Sequence, residues 1–188
     1  WLANGALSVR TIYYEIRKYE AEVIKNKSTW HLIFELLWRE YFRLIARKYQ
    51  NEIFLQGGIK GADMSGLSSS RKKNRGRQNV ASFLTKDLKI NWIHGAMYFE
   101  SQLIDYDVSS NWCNWNYVAG VGNDPREDRY FNILSQAKRY DGKGKYVKHW
   151  LPELSNVPEN IVHEVGKMKP QEQSQYGVNL GANYPKPI

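Results

Sequence analysis

Apolar residues recur at helical spacing along much of the chain. From Ser8 to Val23 the apolar side chains of Ile12, Ile16 and Tyr19 fall on one face, and the segment opens with a serine suited to cap a helix. The segment from Ser28 to Tyr49 is apolar on more than one side, which is typical of a helix buried inside a domain. Both segments are therefore predicted to be helices.

Two more amphipathic helices are predicted farther along, over residues 78–90 and 95–104. A glycine-rich stretch at residues 57–61 and a serine-rich stretch at 65–70 separate them from the preceding helix and indicate a loop. No strand-like alternation interrupts these segments. The pattern indicates an all-α fold with long connections between its helices.

Beyond Gly120 the pattern becomes irregular, with short helical pieces predicted near residues 132–139 and 146–150. A chain of 188 residues can bury one good core but is too short for two generous domains. Residues 1–154 are therefore predicted to form one helical domain. Residues 155–188, which hold four of the six prolines, are predicted to wrap its surface as a tail.

Positive charge is concentrated in one part of the chain. The formal net charge is +8, and residues 71–77, RKKNRGR, hold five of the 27 basic side chains. Such a run is consistent with a polyanionic partner or with a solvated loop, and charge alone does not separate nucleic acid from a membrane surface. The composition therefore leaves the partner open.

Cysteine and histidine usage argues against several classes of site. The single cysteine, Cys113, excludes an intrachain disulfide, argues against a thiolate metal cluster and suits a reducing compartment. The four histidines lack the paired spacing of metal ligands, so no metal is predicted. No apolar run approaches the roughly 20 residues that cross a bilayer, and the first residues of the chain do not follow a basic region with an apolar one, so neither a membrane span nor secretion is expected.

Residues 103–129 combine two close acids, an amide and four aromatic rings with few aliphatic residues. These rings could simply pack in a core, and Asp105 and Asp107 could simply cap a helix. Because two residues apart is not a helical-face spacing, a loop or helix end that presents both acids is the alternative. A hydrolase dyad would need acids from separate elements, and nothing in the sequence supports one.

The order of residues in this segment is more specific than its composition. Asp-Tyr-Asp, Ser-Ser-Asn, Asn-Trp-Asn-Tyr and Gly-Val-Gly-Asn-Asp-Pro-Arg together resemble the flavin-binding sequence of the photolyase and cryptochrome superfamily, and the last of them is similar to the DASH cryptochromes. Further matches are WLANGALS at the N-terminus, ELLWREYFR from Glu35, NRGRQ from Asn74 and WLPEL from Trp150. The resemblance implies the all-helical FAD-binding domain of that superfamily, with FAD as cofactor.

The resemblance also implies which residues hold the flavin. Asp105 is expected to pair with Arg77 beside the isoalloxazine, and Asp107 to accept hydrogen bonds from the ring or its sugar chain. Asn111 is expected to face flavin N5, although a simple loop asparagine is the alternative. Arg39 is expected to join this cofactor-binding group.

Tryptophans are expected to carry electrons to the photoexcited flavin. By resemblance, Trp115 is the innermost and Trp92 the middle member of that chain, while core packing is the alternative for Trp92. The outer member should come from a segment between Gly61 and Ala62 that is longer in family members. Either another ring, such as Trp112 or a tyrosine, completes the path, or photoreduction is impaired.

One face of the second predicted helix has the composition of a cavity wall. Glu35, Trp38, Arg39 and Phe42 fall at positions i, i+3, i+4 and i+7. The resemblance implies that Glu35 and Trp38 meet a flipped-out pyrimidine dimer, with Tyr117 as a second ring. A tyrosine there is similar to the DASH type and favours single-stranded over duplex substrates.

The basic run is divided between two roles by the same resemblance. Asn74 and Arg75 are expected to line the lesion pocket, whereas residues 71–73 remain for sequence-independent, salt-sensitive contacts with phosphates. Single-stranded, damaged DNA is therefore the expected partner of a monomer. A phosphate-binding turn is expected ahead of Trp1, and a folate antenna is expected only in a full-length protein.

The sequence is compatible with three interpretations. The first is FAD-dependent, blue-light-driven repair of cyclobutane pyrimidine dimers, with Glu35, Trp92, Asn111 and Trp115 as the residues that act. The second is a blue-light photoreceptor that uses the same flavin without repair. The third is an inactive relic. The pocket residues on the second helix favour repair.

Overall fold

The computed structural model describes residues 1–62, 76–124 and 132–186. The chain divides into two compact units, residues 1–131 and 132–188. Within the described ranges the secondary structure is helical, apart from one isolated bridge between Leu180 and Tyr184, and no sheet is present. The all-α fold class is confirmed.

The first unit opens with two helices that the sequence predicts to within two residues at each end. Helix α1 spans Val9–Glu22, and the Ser8 hydroxyl accepts a hydrogen bond from the Arg10 amide at 3.2 Å. Helix α2 spans Lys27–Tyr49 and begins with a reciprocal cap between Asn26 and Thr29. These caps satisfy amide groups that a helix start leaves without partners.

Helix α2 is buried on one side only. Ile33, Leu36 and Phe42 are buried, whereas Trp30 and Leu44 are more than half exposed. The sequence predicted a helix enclosed by its domain, and the described residues do not enclose it. Apolar residues on several sides show that a helix can be buried on those sides. They do not show that the described residues are the ones that bury it.

Three further α-helices belong to the described part of the first unit. Helix α3 spans Gly76–Ser82 and continues into a turn of π-helix over Phe83–Asp87, where one long helix was predicted. Helix α4 spans Trp92–Gln102, and α5 spans Val108–Ala119. Helix α5 was not predicted as a helix, because it is buried on nearly every side and shows no clear apolar stripe.

Helix α5 is the centre of the first unit and packs against α2, α3 and α4. Its buried Asn116 amide donates to the Ile53 carbonyl at 2.8 Å and to the Trp112 carbonyl at 2.9 Å. Gly58 lies directly against Asn116 with a φ of 55°, so this approach needs a residue without a Cβ. The contact holds the turns after α2 against α5.

The second unit has its own helices and its own core. Helices α6, α7 and α8 span Ile133–Tyr140, Lys145–Trp150 and Pro170–Tyr176. Its buried apolar residues come from both sides of the predicted tail boundary. They are Leu154, Val157, Val162, Val165, Met168 and Val178, with Val147 and Leu151 packed against them.

The division after residue 131 thus differs from the predicted division after 154. Residues 132–154 share a core with residues 155–186 rather than ending a domain before them. Small valine side chains spaced between turns and prolines give little periodic signal. The sequence pattern therefore predicted a surface tail where the structure has a core.

One carboxylate is expected to make the stability of the second unit depend on pH. Glu164 accepts hydrogen bonds from Lys138 and Lys167, which lower the pKa of its carboxyl group from 4.5 to about 2. Because the folded-state pKa lies below the ordinary value, this stabilisation is complete above pH 4.5 and is lost as the pH falls towards 2. We expect Glu164→Gln to remove that part of the acid-induced loss of Tm, as measured by thermal melts between pH 7 and 2. Parallel pH profiles for the two proteins would contradict it.

No described helix combines the length and apolar character that a membrane-spanning segment needs. Within the same ranges, no group of three or more His, Cys, Asp or Glu side chains is arranged to hold a metal ion.

Candidate functional site

A cavity of about 600 Å³ lies among α2, α3, α4 and α5 in the first unit. This volume falls within the roughly 300–1,000 Å³ of typical ligand and cofactor sites. Its wall combines rings with acids, amides and a guanidinium. The polar lining includes Glu35, Arg77, Asp105, Asp107, Asn111 and Asn114, and the apolar lining includes Phe99, Trp115 and Val118. We call it the first cavity.

The predicted pairing of Arg77 with Asp105 is present at this wall. Arg77 Nη2 lies 2.9 Å from Asp105 Oδ1 and 3.1 Å from Oδ2. The hydrogen bond from Arg77 lowers the pKa of Asp105, so the carboxylate stays ionised and can only accept hydrogen bonds. Both side chains are more than half exposed, so the pair adds little stability by itself. Its place at the cavity wall makes it a candidate binding group.

Asp107 caps helix α5 and also lines the first cavity. Its Oδ1 accepts a hydrogen bond from the Ser110 amide at 2.8 Å, as the capping alternative anticipated. Its Oδ2 lies 4.0 Å from Arg43 Nη2. A cap fixes this carboxylate at the cavity wall, so capping and ligand binding are compatible roles.

Asn111 lies within helix α5, so it is not a loop asparagine. Its side chain is buried, lines the first cavity and donates from Nδ2 to the Ala96 carbonyl at 3.0 Å. An amide group has two N–H donors and a carbonyl acceptor. The bond to Ala96 therefore fixes the amide and leaves it able both to accept from a ligand and to donate to it.

Two buried indoles lie behind or beside this wall. Trp115 lines the first cavity, packs over Gly95 and meets the Phe99 ring edge-on at a centroid distance of 5.2 Å. Trp92 is fully buried, does not line the first cavity and donates from Nε1 to the Gln56 carbonyl at 3.0 Å. Their predicted roles in electron transfer remain predictions.

A second cavity of about 500 Å³ lies beside the first. It is lined by the predicted face of α2, with Glu35, Trp38, Arg39 and Phe42, and by Tyr117 of α5. The two cavities share four lining residues, which are Glu35, Gln78, Ser110 and Asn114. A ligand in one cavity would therefore lie next to a ligand in the other.

Rings form one wall of the second cavity. The Trp38 ring centroid lies 5.6 Å from that of Phe42 and 6.1 Å from that of Tyr117. At the rim, His31 Nε2 lies 3.3 Å from Glu35 Oε1. An aromatic wall with an acid beside it can stack on a planar base and hydrogen-bond its edge.

Other predicted site residues are placed differently or lie outside the described ranges. Arg39 lines the second cavity and not the first, and its guanidinium contacts Glu40 and the Leu2 carbonyl. Its expected contact with the cofactor stays a prediction. The expectations for Asn74 and Arg75, and for the basic residues 71–73, fall outside the described residues.

Sequence reasoning missed three polar residues that line both cavities, namely Gln78, Ser110 and Asn114. Ser110 and Asn114 follow from the helical spacing around Asn111, but only once α5 is known to be a helix. Cys113, on the same helix, contributes no chemistry, because burial raises the pKa of its thiol to about 12.

Residues 62–188 match the family model described as the FAD binding domain of DNA photolyase. Curated relatives over the whole chain include a cryptochrome DASH of Gloeobacter violaceus, 50% identical, and one of a Synechocystis species, 49% identical. The chain covers 43% and 44% of those proteins, so it spans less than half of their length. The Gloeobacter match runs over 215 residues against 188 here, so at least 27 aligned positions lack a counterpart in this chain.

Solved structures agree with this assignment. A Synechocystis cryptochrome superposes with a TM-score of 0.92 at 47% identity, covering 100% of this chain and 44% of that one. A class III photolyase from Agrobacterium tumefaciens gives a TM-score of 0.82 at 27% identity, with the same coverage of 100% and 44%. The chain therefore belongs to the family of the FAD-binding domain of DNA photolyase and, within the photolyase and cryptochrome superfamily, to the DASH type.

Proposed function

We propose that the chain binds FAD in the first cavity and uses it, under blue light, to split cyclobutane pyrimidine dimers of single-stranded DNA in the second. The observation that carries this proposal is the shared wall of the two cavities. Splitting a dimer by electron transfer needs donor and lesion side by side. Among the described residues, the wall made by Glu35, Gln78, Ser110 and Asn114 provides that adjacency.

The residues of the first cavity fit a flavin. Asp105 and Asp107 are acceptors for the N–H and hydroxyl groups of such a cofactor, Arg77 holds Asp105 in place, and the fixed amide of Asn111 can accept or donate. Bound FAD supplies the one-electron chemistry, and the protein supplies binding, orientation and electrostatics. Because the cofactor supplies this chemistry, the described residues of the site need no nucleophile activated by a general base.

The residues of the second cavity suit an extruded lesion. Trp38 and Tyr117 offer rings on which a base can stack, and the Glu35 carboxylate can accept hydrogen bonds from base N–H groups. Extruding a base costs a few kcal/mol, and least where it is damaged or single-stranded. The net charge of +8 supports affinity for DNA of any sequence, and we expect this affinity to fall with added salt.

Replacing Glu35 by alanine tests the repair function. We expect dimer splitting in single-stranded DNA to fall by at least about tenfold, because hydrogen bonds to charged groups contribute about 1.5–3 kcal/mol. Because Glu35 also lines the first cavity, FAD is supplied in saturating excess, and photoreduction of the bound flavin should persist in the variant. The measurement is the yield of repaired oligonucleotide per absorbed photon.

Glu22→Ala is the matched control, since it removes an exposed acid outside both cavities. Splitting that survives Glu35→Ala unchanged would refute the pocket assignment. Flavin photoreduction without any splitting by the unaltered chain would support a blue-light photoreceptor instead of a repair enzyme.

A further inference from the structure

Trp112 of helix α5 contacts two aromatic rings and donates a hydrogen bond to one acid. Its ring centroid lies 5.8 Å from that of Trp92 and 4.9 Å from that of Phe54, both in edge-on contacts. Its Nε1 donates a hydrogen bond to Glu100 Oε2 at 3.0 Å. A buried indole thus contacts the tryptophan expected in the middle of the electron path and, through its N–H, an exposed carboxylate.

The partner of an indole N–H determines what happens once the indole is oxidised. Loss of an electron turns the ring into a radical cation whose N–H is far more acidic than before. A carboxylate that already accepts the hydrogen bond can take this proton, leaving a neutral radical. Return of the electron then also requires return of the proton, so the separated charge lasts longer.

Trp92 lacks such a proton acceptor at its N–H. Its Nε1 donates to the backbone carbonyl of Gln56, and a peptide carbonyl does not take up a proton near neutral pH. A hole on Trp92 therefore stays a radical cation, whereas a hole on Trp112 can be trapped. The two hydrogen bonds thus favour movement of the hole from Trp92 to Trp112.

Tyr106 lies beside the same pair and is partly exposed. Burial raises the pKa of its phenol, the Trp112 indole lowers it and the Glu100 carboxylate raises it, so the phenol interacts with both. A tyrosine in this place can return a hydrogen atom to an oxidised indole. It offers a route by which an external reductant reaches Trp112.

We propose that Trp112 is the terminal electron donor of this chain, with Glu100 as the acceptor of its proton. The proposal rests on the flavin photochemistry of the proposed function. With FAD bound, an electron that Trp115 passes to the flavin on illumination would be replaced from Trp92, and the electron of Trp92 would be replaced from Trp112. Trp112 then loses its N–H proton to Glu100. One electron has reached the flavin, and Trp112 has lost one electron and one proton, which an added thiol restores.

The first test is Trp112→Phe, which keeps an aromatic ring against Phe54 and Trp92 but removes the oxidisable indole. With FAD bound and a thiol present, we expect photoreduction under continuous blue light to slow by at least about tenfold, the effect of roughly 1.4 kcal/mol in a barrier. Trp30→Phe is the matched control, since Trp30 is exposed and lines neither cavity. It should behave as the unaltered chain does.

The second test is Glu100→Gln, in which the side-chain amide oxygen can still accept the hydrogen bond but not the proton. Pulsed EPR of the illuminated protein should show a neutral tryptophanyl radical in the unaltered chain and much less of it in this variant. Without flavin, the ¹⁵N-detected N–H signal of Trp112 should shift on Glu100→Gln but not on Glu22→Gln. An unchanged signal would disprove the contact on which the proposal depends.

The outcomes separate this proposal from the proposed function. Normal photoreduction in both the unaltered chain and Trp112→Phe would overturn the role of Trp112 and leave the proposed function intact. An unaltered chain that binds FAD but is not photoreduced would overturn the role of Trp112, and dimer splitting by that chain with chemically reduced FAD would then test the proposed function separately. Photoreduction that slows in Trp112→Phe but not in Trp30→Phe supports the role of Trp112.

Discussion

Replacing Gly58 by alanine should lower the free energy of unfolding of the first unit by about 2–5 kcal/mol. A left-handed backbone costs a residue with a Cβ about 1–2 kcal/mol, and overpacking adds about 1–3 kcal/mol. Both apply here, since Gly58 has a φ of 55° and an added Cβ would lie 2.3 Å from Asn116 Oδ1 and 2.7 Å from the Val121 carbonyl oxygen. Because Asn116 lies on α5, strain here acts on the helix that lines both cavities. Urea unfolding followed by tryptophan fluorescence measures the change.

Gly61→Ala is the matched control for this effect. Gly61 also has a left-handed backbone, with a φ of 59°, but an added Cβ would meet no atom of the described residues within 4 Å. It should therefore cost only the backbone term, about 1–2 kcal/mol. Equal losses in the two variants would show that the approach of Gly58 to Asn116 is not tight.

Replacing Gly95 by alanine should displace the Trp115 indole at the wall of the first cavity. The added Cβ would lie 2.2 Å from Cη2 of Trp115 and 2.6 Å from Cζ3, in a helix whose backbone needs no glycine there. Overpacking of this kind costs about 1–3 kcal/mol. We also expect weaker binding of FAD, because Trp115 forms part of the cavity wall. Equilibrium unfolding and FAD titration measure the two effects.

A second substitution separates this clash from other causes. Trp115→Phe removes the outer indole atoms that an alanine at position 95 would meet. The double variant should therefore be more stable than the sum of the two single losses implies, with a coupling of about 0.5–3 kcal/mol. Strict additivity would contradict a direct contact between Gly95 and the indole.

The sequence predicts helices well where one face is apolar and the ends are capped. Helix α1 satisfies both conditions, and α2, which is apolar on more than one side, satisfies the second through its Asn26 cap; the predicted limits of both helices lie within two residues of those observed. Helix α5 satisfies the second condition only, through Asp107, and its burial on nearly every side removes the stripe that identifies a helix. The core of the second unit was not predicted from the sequence for a related reason. Its buried valines come from turns and short helices, which show no repeating apolar stripe.

Contacts in the site were predictable where the family resemblance or the helical spacing places particular residues together. The pairing of Arg77 with Asp105 and the shared face of Glu35, Trp38, Arg39 and Phe42 are both present in the structure. The adjacency of the two cavities was not predictable from spacing. It depends on how α2, α3 and α5 pack together, which brings Glu35, Gln78 and Asn114 to one wall.

The most direct test of the central claim is an absorption spectrum. The purified chain is incubated with excess FAD, freed of unbound ligand and recorded across the flavin bands before and after blue light with a thiol present. We expect a structured flavin band that bleaches on illumination, which would establish cofactor binding and electron transfer together. A spectrum without flavin after saturating incubation would contradict the claim that the first cavity of this chain binds FAD.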